Sequence, residues 1–131
     1  MKIEEGYLDV PGGKVWYRAV GDDAEASPSP PQLCLHGGPG FTHYYLEALE
    51  ALADRRRVIF YDQLGCGRSD RPGDLTLWNV DRFVEELAQV RSALKLDRLH
   101  LSAPCSSAAA TTNARPAIWR RCTAGSSARG W

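Results

Sequence analysis

Leu33-Cys34-Leu35 is a short apolar run that ends in His36-Gly37-Gly38-Pro39-Gly40. Brief, apolar and bounded by turn residues, it reads as a buried strand. The glycines that follow permit positive φ and carry no Cβ, so a ligand can approach the main chain closely. Pro39 fixes its own φ and stiffens the loop behind them. A rigid, bare turn at the carboxyl end of a strand is where ligands bind in an open α/β sheet. The amides of Gly37 and Gly38 are expected to point outward without partners, which is the form of an oxyanion hole. The bland alternative is a turn and nothing more. His36 by itself reads as a hydrogen-bonded structural residue.

The flanking segments support an α/β arrangement. Gly6–Val10 and Lys14–Val20, joined by Pro11-Gly12-Gly13, read as an antiparallel hairpin whose Val15 and Tyr17 face one way and Trp16 and Arg18 the other. Gly21–Pro31 reads as a polar surface connection. His43–Ala53 reads as a helix, with Thr42 as N-cap and Leu46, Leu49 and Leu52 as its apolar stripe. Arg55-Arg56-Arg57 reads as a solvated C-terminal cap. Val58–Tyr61 is a second buried strand, so strand–helix–strand predicts a parallel pair. Asn79–Lys95 is the longest predicted helix. Its apolar face is Val80, Phe83, Val84, Leu87, Val90 and Leu94, and its polar face Asp81, Glu85, Glu86 and Gln89. Leu99-His100-Leu101 starts a third parallel strand, with His100 structural.

The second strand runs into Asp62-Gln63-Leu64-Gly65-Cys66-Gly67-Arg68-Ser69-Asp70. Gly65 and Gly67 again put bare backbone at a strand's carboxyl end. No cofactor is expected: Asp70 stands where a dinucleotide fingerprint needs its third glycine, and there is no P-loop. No metal is expected either, because Cys34, Cys66, Cys105 and Cys122 lack C-x-x-C pairing; they read as free thiols in a reducing, cytoplasmic setting. A formal net charge of zero argues against nucleic acid as a partner. No apolar run approaches the ~20 residues that span a bilayer, and no secretory signal is visible.

The composition changes near residue 102. Residues 1–102 carry 12 basic and 16 acidic side chains, whereas 103–131 carry four arginines and no acid. The second stretch also has no Leu, Val, Phe, Tyr or Met. The expectation is a partial domain over 1–102 and an aberrant, disordered tail over 103–131.

His36-Gly37-Gly38-Pro39-Gly40, followed at this distance by Asp62-Gln63 and Gly65-Cys66-Gly67-Arg68-Ser69, resembles the proline iminopeptidases. Those are α/β-hydrolase serine peptidases that release an N-terminal proline. The resemblance covers about Met1 to Leu101, including the Trp78–Leu94 and Arg98–Leu101 segments. It implies an α/β fold, the N-terminal half of an α/β-hydrolase, with an antiparallel hairpin leading into parallel strands joined by crossover helices. It further implies that Gly37 and Gly38 supply half of the oxyanion hole, Gly38 the better donor, and that the substrate is a peptide with an N-terminal proline. Oligomeric state is not implied.

The sequence departs from the family where the third strand should enter the Gly-x-Ser-x-Gly nucleophile elbow. Leu101 is followed instead by Ser102-Ala103-Pro104-Cys105-Ser106-Ser107, with no glycine two residues from any of these serines. No member of a catalytic triad can be assigned. Asp62 reads as a loop brace rather than the catalytic acid. The expectation is an inactive chain truncated before the elbow, its reading frame shifted near Ser102 in a GC-rich gene; a divergent natural tail is the competing account. Another α/β-hydrolase, an esterase or epoxide hydrolase, and a non-catalytic binding fragment are the alternative functions. With the third strand's edge open, residues 1–102 are expected to be marginally stable and prone to self-associate.

Overall fold

Pro11-Gly12 turns a hairpin of two eight-residue strands, β1 (Ile3–Val10) and β2 (Gly13–Val20), paired antiparallel from Ile3↔Val20 to Val10↔Gly13. Gly12 sits at φ +101°, a conformation that needs glycine here. In this computed structural model the described residues are 1–23, 27, 29–37 and 41–103. The disorder expected of 103–131 therefore falls, from Pro104 on, outside the described residues.

β3 (Gln32–Leu35) and β4 (Val58–Tyr61) are parallel, as the βαβ reading requires, and β5 (His100–Ser102) pairs parallel with β3. The sheet order is β1-β2-β4-β3-β5, with β2 antiparallel to β4. The chain thus moves one way from β3 to β4 and the other way from β4 to β5. Crossovers of one hand that run in opposite directions must lie on opposite faces of a sheet, and they do. Leu33, Leu35, Ile59 and Tyr61 pack with Leu87 and Val90 of α1 (Val80–Ala93), while Cys34, Val58 and Phe60 pack on the other face with Leu46 and Ala53 of the His43–Asp54 helix. Both faces of β3 and β4 are covered, which is why they read as unbroken apolar runs.

Several expectations need correction. The His43–Asp54 helix is a 3₁₀ helix of 12 residues, with Thr42 as the expected N-cap; Leu52 is 39% exposed, and the buried positions are His43, Leu46 and Ala53. Arg57 is not a solvated cap: its guanidinium donates to Glu4 at 2.7 Å and Asp23 at 2.8 Å, tying the helix exit to the hairpin. On α1, capped by Asn79, Val80 is exposed and Glu86 is fully buried, with Arg82 beside it. The face assigned by polarity was wrong there because the two charges neutralise each other inside, Arg82 Nη1 lying 2.7 Å from Glu86 Oε2. His100 is exposed on β5, an edge strand among the described residues. No helix among those residues is long and apolar enough to cross a membrane.

Candidate functional site

The connections leave β3 and β4 toward opposite faces, the topological arrangement at which α/β sheets bind ligands beyond the carboxyl ends of their strands. His36-Gly37 leaves β3 there and Asp62–Asp70 leaves β4. Gly38, Pro39 and Gly40 lie outside the described residues.

Asp62 is fully buried, and its two oxygens are shared between two segments. Oδ1 accepts the His43 backbone N–H at 3.0 Å and faces His43 Nδ1 at 2.9 Å. Oδ2 accepts the Arg68 N–H at 3.0 Å. One carboxylate thus fixes the start of the 3₁₀ helix and closes its own loop. Gly67, at φ +48°, lies against the same carboxylate, and an added Cβ would collide with Asp62 Oδ2. Gly65, at φ +83°, lies under the Trp78 indole in the same way. Ser69 donates to the Asp62 carbonyl at 2.5 Å and accepts the Trp16 N–H at 2.9 Å, and Asp70 accepts the Lys14 N–H at 2.8 Å; both fasten the loop to the hairpin. From below, Glu86 accepts the Leu64 N–H at 3.3 Å. Burial raises the Glu86 pKa, and Arg82 opposes the rise.

His36 is 1% exposed and joins the two strand ends. Its Nε2 accepts the Gln63 N–H at 2.9 Å, its Nδ1 lies 3.1 Å from the Gly37 carbonyl, and Gln63 Nε2 donates back to the His36 carbonyl at 3.0 Å. The Gly37 amide is not bare, contrary to expectation: it donates to the Tyr45 hydroxyl at 2.7 Å. Tyr45 is half exposed, its ring edge-on to Phe41 with centroids 6.3 Å apart.

The structure therefore brings His36, Gly37, Asp62, Gln63, Gly65, Gly67 and Ser69 together at one end of the sheet. Sequence reasoning missed His43, Tyr45, Trp16 and Glu86. His43 stacks on Trp16 with centroids 4.5 Å apart, and Arg68 lies 4.7 Å over the same indole. Of these, Thr42 as N-cap could have flagged His43 as a first-turn residue; the others carry no local signal. Ser102, on β5, accepts from Gln32 Nε2 at 2.5 Å, while Ser106 and Ser107 lie outside the described residues. Cys34 is buried, which pushes its thiol up to about 12 and leaves it inert as a nucleophile.

A family model described as alpha/beta hydrolase fold matches residues 30–104. The proline iminopeptidase of Heyndrickxia coagulans is 55% identical over 97 residues, 74% of this chain and 33% of the relative. The crystal structure of the Mycobacterium smegmatis proline iminopeptidase superposes with a TM-score of 0.69 at 34% identity, over 76% of this chain and 35% of that one. The epoxide hydrolase VrEH1 of Vigna radiata shares the fold, with a TM-score of 0.64 at 22% identity over 77% of this chain and 31% of that one. The chain spans about a third of the length of the curated relatives it matches. It belongs to the α/β-hydrolase fold family, and its N-terminal portion resembles the corresponding part of the proline iminopeptidases.

Proposed function

We propose that this chain carries the oxyanion side of a serine aminopeptidase site of the proline iminopeptidase kind, whose substrate is a peptide with an N-terminal proline. The observation that carries the reading is that His36-Gly37 and the Gly65–Gly67 turn meet at adjacent strand ends, cross-braced by His36 and Asp62. The 55% identity to a named proline iminopeptidase supports it. The family's chemistry is acyl transfer through a serine ester, with the tetrahedral oxyanion held by backbone amides. With the Gly37 N–H engaged by Tyr45, Gly38 is the residue we assign as donor.

Residues 1–131 contain no Gly-x-Ser-x-Gly. We therefore assign no nucleophile, acid or base, and infer that these residues by themselves are catalytically silent. The boundary near 102 rests on the composition shift and on a family match that stops at residue 104. A cytoplasmic location is part of this proposal and rests on the cysteine pattern. The purified chain should not cleave a proline arylamide, and a fluorophosphonate probe should not label Ser102, Ser106 or Ser107 stoichiometrically; turnover or labelling would overturn the silent reading. The aminopeptidase reading itself is tested by the nucleotide sequence downstream of the Leu101 codon. A Gly-x-Ser-x-Gly in another frame supports it, and its absence from all frames favours a non-catalytic binding role.

A further inference from the structure

Both backbone polar groups of Gly37 are held by side chains, and one of those side chains can exist in only one protonation state there. The Gly37 carbonyl faces His36 Nδ1 at 3.1 Å. A carbonyl can only accept, so Nδ1 carries the proton. Nε2 faces the Gln63 backbone N–H at 2.9 Å, a group that can only donate, so Nε2 is bare. The two contacts together select neutral imidazole in its Nδ1–H tautomer. A protonated ring would set Nε2–H against the Gln63 N–H, two donors with no acceptor between them, in a place that is 1% exposed. The charged and titratable groups around the ring are Asp62 on the β4 loop, His43 on the first turn of the 3₁₀ helix and, through Gly37, the Tyr45 hydroxyl. Asp62 favours the charged ring, but its oxygens are already taken by His43 and Arg68. His43 disfavours it.

We propose that His36 is a positioning residue that latches the β3 end to the β4 loop, and that protonation of its Nε2 releases the Gln63 backbone N–H. Burial, more than any neighbouring charge, holds the His36 pKa below its ordinary 6.5. The sign follows from linkage: a depressed histidine pKa gives stability that is present in full above 6.5 and is lost as pH falls through the folded-state value. The inference rests on the hydrolase reading only for its consequence, a site that acid disarms. The latch is a property of the chain as it stands and is measured without substrate.

The experiment is nitrogen NMR of the histidine side chains of residues 1–131, with amide exchange corrected for its intrinsic rate, from about pH 7.5 to about pH 4.5. At the upper end His36 should show a protonated Nδ1 and a bare Nε2. As pH falls, the Gln63 amide should lose about tenfold or more in protection, with its midpoint below 6.5 and tracking the His36 titration, while the Phe60 amide within β4 stays protected. His36→Gln, which keeps an acceptor but does not titrate, should flatten the Gln63 profile. Four outcomes would overturn the latch: an Nε2–H tautomer, a His36 titration at or above 6.5, Gln63 protection flat across that titration, or Phe60 opening in step with Gln63. If His36→Gln does not fold, the wild-type titration decides. Failure of the aminopeptidase reading would show in the nucleotide sequence and in none of these signals.

Discussion

The two strand ends that meet at the candidate site are fastened by different chemistry. The β4 loop is held by carboxylates: Asp62 from within, Asp70 against the hairpin, and Glu86 from the helix beneath. Bonds from backbone donors to buried carboxylates are costly to leave half made. The β3 end is held by an imidazole that must stay neutral and by the hydroxyl of a half-exposed tyrosine. Those bonds are individually worth about 0.5–1.5 kcal/mol. One loop is built as a fixed wall. The other is backbone whose partners can be exchanged.

If that contrast is right, substitutions on the β4 side should be the more damaging. Asp62→Ala strands the His43 N–H and the His43 Nδ1, both buried, and takes the acceptor from the partly buried Arg68 N–H. At about 1–3 kcal/mol for each orphaned buried group, and with incomplete additivity, the expected loss is about 4–5 kcal/mol. Amide exchange at Arg68 and His43 reads it locally. A loss under about 1 kcal/mol would show that the loop holds itself. Next is Glu86→Ala, which leaves the Arg82 guanidinium buried without its counter-charge, at an expected cost of about 3 kcal/mol. The double substitution Arg82→Met with Glu86→Leu should recover most of it, since a buried ion pair is often no better than an apolar pair of similar volume. Denaturant unfolding of the two variants side by side makes the comparison.

Gly67→Ala and Gly65→Ala sharpen the contrast within the β4 loop itself. Both glycines have positive φ, so both substitutions strain the backbone. At Gly67 the new Cβ meets the Asp62 carboxylate, which is fully buried and bonded on both oxygens. At Gly65 it meets Trp78, an indole that is 37% exposed and can swing away. The first should cost about 2–3 kcal/mol and the second about 1 kcal/mol less. Equal costs would mean that the backbone, not the neighbour, sets the price.

Much of this was legible in the chain. Leu33–Leu35 and Val58–Tyr61 are apolar without interruption because both faces of each strand are covered, and the glycines that follow mark where backbone must turn against a neighbour. Local pattern was enough for those features. It failed where a charge is satisfied at a distance. Arg57 looked solvated because its partners, Glu4 and Asp23, are remote in sequence. Glu86 looked solvated because a helical i, i+4 ion pair has the same spelling whether it faces water or the core. Tyr45 was not singled out at all. A hydroxyl that reaches back eight residues to a backbone amide leaves no periodicity to detect.

Tyr45→Phe is the smallest of the expected effects and the one that separates the two kinds of fastening most cleanly. It removes a single hydroxyl from a side chain that is half exposed, and keeps the ring against Phe41. The Gly37 N–H loses its 2.7 Å acceptor. Because water can reach the vacated place, the cost should be that of one ordinary hydrogen bond, about 1 kcal/mol or less, and not the desolvation of an orphaned donor. The His36 bonds to Gln63 lie on the other side of Gly37 and should be intact. Gly37 amide exchange should therefore rise by about fivefold, while Gln63 exchange stays within twofold of the parent. If Gln63 opens together with Gly37, the two bonds act as one unit and the β3 end is as rigid as the loop beside it. If Gly37 alone quickens, the tyrosine hydroxyl is a replaceable partner, and the amide it covers is available to whatever else can accept from it.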